Sequence, residues 1–281
     1  MKVTALVAYD GTRFAGFQRQ SPEKGPTAQG TLEAAIERIA GVAIPVEAAG
    51  RTDSGVHATG QVVSFAAPEK LSAESWRRAL NALLPEDIAV RAVVFAPDAF
   101  AARWSALSRS YVYRIHRGAA PDPLRVRYVW RVTHPLDVAA MAAAAGQLLG
   151  ERDFGAFGSS PRDRRDDGYR GHTVREMMVA ECRPSSRYPD ELECAFTANA
   201  FLTGMVRRLV GTLVRVGEGK LSVAEFQGIL EAAEKAHPGA AAPARGLCLT
   251  GVAYPPELLR WPVEDGALDE ARPGDDRRGD G

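Results

Sequence analysis

Apolar and polar residues alternate or repeat along this chain in ways that predict a regular order of strands and helices. In the first hundred residues we predict strands over 3–9, 44–50, 60–66 and 88–95, and helices over 27–40 and 72–84. Thr27 and Ser72 stand at the starts of the two helices and are typical N-cap residues. In the rest of the chain we predict strands over 110–117, 173–182, 191–198 and 247–253, and helices over 136–149, 201–217 and 222–236.

Each half of the chain therefore follows the order strand, helix, strand, strand, helix, strand, which is the order of a ferredoxin-like unit. We predict an α+β fold with two such halves, 1–102 and 103–258, whose sheets meet around a central cleft. Helices on one face of each sheet would leave the other face free for its twin or for a ligand. Residues 158–172 are predicted to form a Gly- and Arg-rich loop, and 259–281 an acidic, disordered tail.

The formal net charge is zero, with 35 basic and 35 acidic side chains, but the charges are unevenly distributed. Residues 264–281 contain seven acids and three arginines, a charge of −4, so residues 1–263 carry +4. Residues 103–131 contain seven arginines and one acid, interleaved with two tryptophans and three tyrosines. Guanidinium groups beside aromatic rings suit phosphates and unstacked bases, although solvated strand faces are an equally good interpretation of this segment alone.

Cysteine usage and apolar run lengths favour a cytoplasmic protein. Cys182, Cys194 and Cys248 form no C-x-x-C pair, which argues against a disulfide framework and a thiolate zinc site. The apolar stretch of the N-terminal strand is too short for a signal peptide. The longest other apolar run, 138–145, is far below the roughly 18 residues of a spanning helix, so we expect no membrane partner.

No motif for a metal or a nucleotide cofactor is found in the sequence. The five histidines lack an H-E-x-x-H or comparable spacing, and we expect His57 to be a hydrogen-bonding histidine and not a metal ligand. The sequence also lacks G-x-G-x-x-G after a predicted strand, G-x-x-x-x-G-K-[ST] and G-x-S-x-G. We therefore expect no metal and no cofactor.

The segment AGRTDSGVHATGQ, residues 49–61, is the densest cluster of small and polar residues between two predicted strands. Arg51 and Asp53 are two positions apart, so in an extended segment their side chains point to the same side. A carboxylate beside a guanidinium stays ionised near neutral pH, as a carboxylate nucleophile requires. The alternative is that D-S-G forms a turn in which Asp53 accepts hydrogen bonds from its own backbone.

The predicted helix over 201–217 has two different faces. Its apolar positions recur at core spacing: Leu202, Val206, Leu209, Leu213 and Val216. The opposite face collects glycines and arginines: Gly204, Arg207, Arg208, Gly211 and Arg215. These arginines could simply be solvated, but each glycine inside a helix costs about 1 kcal/mol, which favours a close neighbouring backbone or phosphate.

Six segments, in order, resemble the motifs of the tRNA pseudouridine synthase A family: YDGTRFAGFQRQ, AAGRTDSGVHATGQVVSF, SRSYVYRI, DFGAF, NAFLTGMVRRLVG and GLCLTGVAYP. They are spread over essentially the whole chain to about residue 255. The resemblance implies the pseudouridine synthase fold of two ferredoxin-like halves and a homodimer. It also implies action on uridines 38, 39 and 40 of the tRNA anticodon stem-loop.

The same resemblance implies roles for individual residues. Asp53 corresponds to the family's aspartate nucleophile, and Arg51 to an arginine associated with substrate entry and the vacated base position. Tyr111 corresponds to the tyrosine that contacts the target base, and Arg207 to the arginine that pairs with the catalytic aspartate. We expect catalysis by Asp53, Arg207 and Tyr111, and substrate binding by Tyr111, Arg51, Arg208 and Arg114, the last two through phosphates.

The implied reaction detaches uracil from C1′, turns it and rejoins it through C5, so no atom is gained or lost and no cofactor is needed. Asp53 could attack C1′ or C6, or assist loss of the proton next to C1′. Tyr111 would stack on the uracil and could accept the C5 proton. The sequence departs from the family pattern at Phe17, where tryptophan is usual, at Ser54, where alanine is usual, and over 159–172. None of these departures removes a reacting group.

Two alternatives remain open. A non-catalytic RNA-binding module of the RRM type also has a βαββαβ sheet, but no predicted strand carries its K/R-G-F/Y-G/A-F-V-x-F/Y stacking motif. Such a module also has no use for G-R-T-D. A synthase of the same family that acts on another RNA would carry the same motifs.

Overall fold

A computed structural model describes residues 2–67, 71–158, 173–233 and 238–262. Within these ranges the strands are β1 (Lys2–Tyr9), β2 (Glu47–Ala48), β3 (His57–Phe65), β4 (Ile88–Ala96), β5 (Ser108–His116), β6 (Trp130–Arg131), β7 (Gly150–Asp153), β8 (Val174–Pro184), β9 (Glu191–Ala198) and β10 (Leu247–Ala253). The α-helices are α1 (Ala28–Ala40), α2 (Ala73–Leu83), α3 (Val138–Gly146), α4 (Met205–Gly217) and α5 (Val223–Ala232). The stretch 159–172 and residues 263–281 of the predicted tail lie outside the described residues.

The predicted order of the main elements is confirmed, and β9 and β10 have the predicted bounds. Thr27 and Ser72 are N-caps, each accepting a hydrogen bond from the backbone N–H three residues later. β3 begins at His57, three residues earlier than predicted, and the predicted strand over 44–50 is reduced to the two residues of β2. The pattern did not predict the short strands β6 and β7.

The strands form one mostly antiparallel sheet in the order β4-β1-β3-β10-β5-β9-β8-β7, with β2 attached to β3 and β6 to β5. The expectation that the free faces of two sheets meet each other was therefore wrong, because the strands of both halves belong to one continuous sheet. The two halves join edge to edge, because β3 and β10 pair in parallel, His57 beside Cys248 and Ala58 beside Leu249. We call this pairing the seam. It satisfies backbone groups that two open strand edges would leave unpaired.

The five described helices all contribute residues to the hydrophobic core on one face of the sheet. The main hydrophobic core contains residues from each of them: Leu32 of α1, Trp76 of α2, Met141 of α3, Leu209 of α4 and Phe226 of α5. On β1, Val7 belongs to this core, whereas its neighbour Leu6 belongs to a smaller cluster with Val62 and Phe100 on the opposite face. None of the described helices has the length and apolar composition needed to cross a membrane.

A disulfide joins Cys182 of β8 to Cys194 of β9, contrary to the expectation from cysteine spacing. The two residues lie directly opposite each other in the antiparallel register, with their Cα atoms 4.1 Å apart. Opposed residues on antiparallel strands are close enough to be bridged. The register that opposes them is a property of the folded sheet, which the spacing of cysteines does not reveal. Cys248 is a free, buried cysteine.

His57 is a buried hydrogen-bonding histidine, as predicted. Its Nδ1 atom accepts a hydrogen bond of 3.0 Å from the Gly11 backbone N–H, and its Nε2–H donates to the Arg127 carbonyl oxygen at 2.9 Å. These bonds correspond to a neutral imidazole. Burial lowers the pKa of His57, although the Asp10 carboxylate, 3.2 Å from Nδ1, acts in the opposite direction. No group of three or more potential metal ligands occurs within the described ranges.

Replacing Gly60 by alanine should destabilise the seam. A Cβ atom at this position would lie 2.1 Å from the Thr250 carbonyl oxygen and 2.8 Å from the Gly251 Cα atom, so the β10 backbone would have to move. We expect the free energy of unfolding, measured by urea denaturation, to fall by about 2 kcal/mol or more. The control is Gly228→Ala on α5, where a Cβ atom meets nothing within 4 Å and helix propensity improves. Equal stability of the wild type and Gly60→Ala would contradict the close approach of β3 to β10.

The free energy of unfolding should decrease below about pH 6.5, and His57 should account for part of the loss. An unfolded histidine binds a proton near pH 6.5, whereas burial shifts protonation of folded His57 to lower pH. Between these two values the unfolded state binds the extra proton, so stability falls by up to about 1.4 kcal/mol per pH unit. His57→Gln should flatten this slope in urea titrations from pH 8 to 5. An unaltered slope in His57→Gln would disprove this role.

Candidate active site

A groove of about 920 Å³ opens at the junction of the two halves. It is lined by the loop that precedes β3, by the N-terminal segment 15–20, by β5 and by the start of α4. The charged side chains that line it within the described ranges are six cationic and two acidic ones: Lys24, Arg51, Arg103, Arg109, Arg175, Arg207, Glu47 and Asp53. This local excess of positive charge suits a polyanion, although the chain as a whole is neutral.

The loop that carries Asp53 is held in place by hydrogen bonds to the N-terminal segment. The Thr52 hydroxyl is hydrogen bonded to the Tyr9 hydroxyl at 2.8 Å, and the Thr52 carbonyl oxygen accepts from the Phe17 N–H at 3.0 Å. Gly16 has a φ of +104°, and a Cβ atom there would lie 2.9 Å from the same carbonyl oxygen, so glycine permits this close approach. Phe17, the departure from the family pattern, is fully buried in this support.

Asp53 starts a turn, but its side chain does not close it. The Val56 N–H donates to the Asp53 carbonyl oxygen at 3.1 Å, so D-S-G does form a backbone turn, but without the hydrogen bond to the Asp53 side chain that the alternative interpretation required. The carboxylate Oδ2 instead accepts a hydrogen bond of 2.9 Å from Arg207 Nη1. Oδ1 has no hydrogen-bond partner in the described part of the chain. The turn and the ion pair therefore coexist, because the turn uses the backbone of Asp53 and leaves the side chain free.

Arg207 is held in place by the backbone of Ala242 as well as by Asp53. Its Nε–H donates to the Ala242 carbonyl oxygen at 2.8 Å, and the Ala242 N–H donates to the Arg207 carbonyl oxygen at 2.9 Å. The Asp53 side chain is 37% exposed and that of Arg207 24% exposed. The ion pair is thus accessible from the groove, which both residues line. Arg207 holds Oδ2, whereas Oδ1 is not hydrogen bonded to any described residue.

Tyr111 lies on β5 and lines the same groove. Its ring is 7% exposed and packs edge-on against Phe201, with centroids 5.1 Å apart and an interplanar angle of 83°. Burial raises the pKa of Tyr111 to about 12. The phenol is therefore neutral at pH 7. Its hydroxyl oxygen has no hydrogen-bond partner among the described residues, which leaves it available to a bound ligand.

The three other predicted binding residues lie in different places. Arg51 is exposed, lines the groove and has no hydrogen-bond or ion-pair partner among the described residues. Arg208 does not line the groove, and its Nη1 atom lies 3.5 Å from the Phe157 carbonyl oxygen. Arg114 points to the opposite sheet face from Tyr111, since side chains alternate along β5, and lies 3.4 Å from Glu193. The structure does not bring Arg114 into this groove.

The arginine-bearing face of α4 is covered by the backbone of 238–242. A Cβ atom on Gly211 would lie 2.3 Å from a carbonyl oxygen of this segment, and Arg215 donates to another at 3.1 Å. A neighbouring backbone therefore covers this part of the face, while Arg207 meets Asp53. The opposite stripe is in the core, as predicted: Leu202, Val206, Leu209, Leu213 and Val216. The helix begins later than predicted, at Met205, after Gly204 in the left-handed conformation.

Arg109 organises the groove, a role that sequence reasoning missed because it counted only as one of seven arginines. Its guanidinium, whose pKa is lowered by burial, donates to four backbone carbonyl groups: those of Ala49, Arg103, Ala106 and Asn199. A planar fork with five N–H groups can make such a set of bonds, and a lysine cannot. The available signal was its position two residues before Tyr111 on one strand, which places both side chains on the same face.

Comparison with known proteins identifies the family. A family model described as tRNA pseudouridine synthase matches residues 5–104 and 144–255. A tRNA pseudouridine synthase A from Gloeobacter violaceus is 44% identical over 260 residues, covering 92% of this chain and 82% of the relative. Those from Moorella thermoacetica and Geobacillus kaustophilus are 42% and 39% identical, covering 90% and 94% of this chain and 99% of each relative. This chain therefore belongs to the tRNA pseudouridine synthase family, whose members are isomerases.

Proposed function

We propose that this protein converts uridine to pseudouridine at positions 38, 39 and 40 of the tRNA anticodon stem-loop, without a cofactor. The observation that carries the proposal is the ion pair between Asp53 and Arg207 in a basic groove beside Tyr111. Relatives named tRNA pseudouridine synthase A, 39–44% identical over most of the chain, support the reaction and the class of RNA. The choice of uridines rests on the family resemblance.

Asp53 is the proposed nucleophile. In the reaction the bond between C1′ and N1 breaks, a bond between C1′ and C5 forms, and the C5 proton is lost while N1 is protonated. Because Arg207 binds Oδ2, Oδ1 is the atom available to attack C1′ or C6, or to assist loss of the proton next to C1′. Arg207 would keep the carboxylate oriented in each case. The rearrangement is redox-neutral, so it requires no electron carrier.

Tyr111 is proposed to contact the target uracil. Its buried ring lines the same groove as the Asp53 carboxylate, and its hydroxyl has no hydrogen-bond partner among the described residues. With a pKa raised to about 12 by burial, it would meet the base as a neutral phenol. We therefore favour stacking and hydrogen bonding over a phenolate base that removes the C5 proton.

Base flipping would bring a stem uridine to Asp53. Unstacking and unpairing one nucleotide costs a few kcal/mol. Contacts between the arginines of the groove and phosphates would offset part of this cost. Arg51 is exposed, lies two residues from Asp53 and has no partner within the part of the chain that the structure describes, so it is suited to enter the position that the base vacates.

We also propose that the halves are two ferredoxin-like units and that the protein is a cytoplasmic homodimer. In the first half the strand order is β4-β1-β3-β2, and in the second it is β10-β5-β9-β8. If the main strands of each half are numbered 1 to 4 along the chain, both orders read 4-1-3-2, which supports a repeated unit. The homodimer is carried over from the family resemblance, and the cytoplasm from the proposed role in tRNA modification. Because Cys182 and Cys194 are bridged, the cysteines no longer favour a reducing compartment.

Replacing Asp53 by asparagine should abolish pseudouridine formation and preserve tRNA binding. Asparagine keeps the size and most hydrogen bonds but lacks the nucleophilic oxygen, so we expect the rate to fall by roughly a thousandfold or more. The measurements are tritium release from tRNA labelled at C5 of uridine and filter binding of the same tRNA.

The matched control is Asp122→Asn, on a loop outside the groove, where the carboxylate only accepts a backbone hydrogen bond. Turnover retained by Asp53→Asn would refute the nucleophile. A wild-type protein that binds tRNA and releases no tritium would favour the non-catalytic RNA-binding module instead. Mapping pseudouridine in RNA from cells lacking the protein distinguishes positions 38 to 40 from another target.

Arg208→Ala should weaken tRNA binding and reduce the slope of log K against log salt by about one, if its side chain meets one phosphate. Arg51→Ala should weaken tRNA binding through loss of the side chain that fills the vacated base position. Arg114→Ala should leave the slope unchanged, because this arginine lies on the other face of the sheet beside Glu193. Filter binding from about 50 to 200 mM salt tests all three variants. A slope reduced by Arg114→Ala alone would place the RNA outside the groove.

A further inference from the structure

Trp104 is the most exposed aromatic side chain among the large hydrophobics exposed within the described ranges. Its side chain lies on the rim of the groove that contains Asp53 and is 76% exposed. The Arg103 guanidinium carbon lies 4.6 Å from the centre of its ring. A guanidinium and an indole ring thus form one cationic, aromatic surface at the entrance to the groove. Neither residue has a role in the reaction proposed above.

The backbone that presents Trp104 is tied down on both sides. The Arg103 carbonyl oxygen accepts from the Arg109 guanidinium at 2.6 Å, and the Ser105 N–H donates to the Ala101 carbonyl oxygen at 2.9 Å. The Leu107 N–H donates to β10 at 2.8 Å. Single exposed apolar residues are common on proteins. Trp104 differs because hydrogen bonds hold its backbone and because its side chain lines the same basic groove as Asp53.

We propose that Trp104 stacks on an unpaired nucleobase that flanks the uridine bound at Asp53, and that Arg103 contacts the adjoining phosphate. The proposal rests on the proposed function, because it needs RNA in the groove. Removing one base from a stem exposes the faces of its neighbours, and aromatic side chains stack on such faces with little sequence preference. Trp104 is thus a positioning residue that selects unstacked RNA and takes no part in bond making.

The experiment compares wild type, Trp104→Ala, Trp104→Phe and Leu124→Ala with an unmodified tRNA transcript. Loss of one base stack should raise Kd by about fivefold or more in Trp104→Ala. Trp104→Phe should restore most of the affinity, and the single-turnover rate at saturating tRNA should stay within about twofold of wild type. Leu124, 88% exposed and outside the groove, is the control apolar residue, and its variant should bind like wild type.

Two readouts report stacking independently of turnover. Indole emission of the wild type should be quenched on tRNA binding, and the quenching should be absent in Trp104→Phe, since Trp76 is buried and Trp130 and Trp261 are partly buried. An abasic nucleotide on one side of the target should also raise Kd for the wild type. The same substitution should have no further effect in Trp104→Ala, because both changes remove one contact.

If an active Trp104→Ala bound tRNA with the Kd of the wild type and showed the same quenching of indole emission, the proposed function would stand but the stacking proposal would be overturned. Additive effects of the abasic site and Trp104→Ala would also overturn it. So would a change in oligomeric state, measured by light scattering, with no change in tRNA affinity. If the wild type binds tRNA with quenching but makes no pseudouridine, the proposed function fails while the stacking contact stands.

Discussion

The parallel pairing of β3 with β10 is the constraint on which the candidate active site depends. β3 follows directly from the loop that carries Asp53, and β10 lies between β3 and β5, which carries Tyr111. A few backbone hydrogen bonds therefore bring a loop of the first half to the residues of the second. The ion pair between Asp53 and Arg207, which are 154 positions apart in sequence, forms at this junction. Because partly exposed ion pairs add little stability, this pair serves to orient the carboxylate.

The arginines of the groove fall into two kinds. Arg109 and Arg207 donate to backbone carbonyl groups and are held in one orientation. Arg51 lacks such bonds among the described residues, and Arg103 lies over the ring of Trp104 at the rim. Arg109 and Arg207 thus hold the backbone segments that form the groove, whereas the side chains of Arg51 and Arg103 are available to contact phosphate. The chain reaches this arrangement with no net charge, so the local distribution of charge, and not its total, suits the groove to a polyanion.

The predictions that succeeded depend on local patterns. The N-caps Thr27 and Ser72, the bounds of β10 and the apolar stripe of α4 follow from side-chain chemistry within one or two turns or one strand. The predictions that failed depend on partners distant in sequence. The disulfide between Cys182 and Cys194 follows from the register of β8 against β9. The edge-to-edge joining of the halves follows from the availability of two strand edges, which no periodicity encodes.

By itself the sequence determined the order of the main elements and the core face of α4, because periodicity is a property of neighbouring residues. The six ordered motifs were enough to indicate the family. The same motifs implied that Arg207 pairs with Asp53, and the structure contains this ion pair. Only the tertiary structure decided that Arg114 lies on the far face of the sheet and that Arg109 donates to four backbone carbonyl groups at the groove. These outcomes depend on how strands pair and which backbone carbonyl groups converge, and both are settled when distant segments pack together.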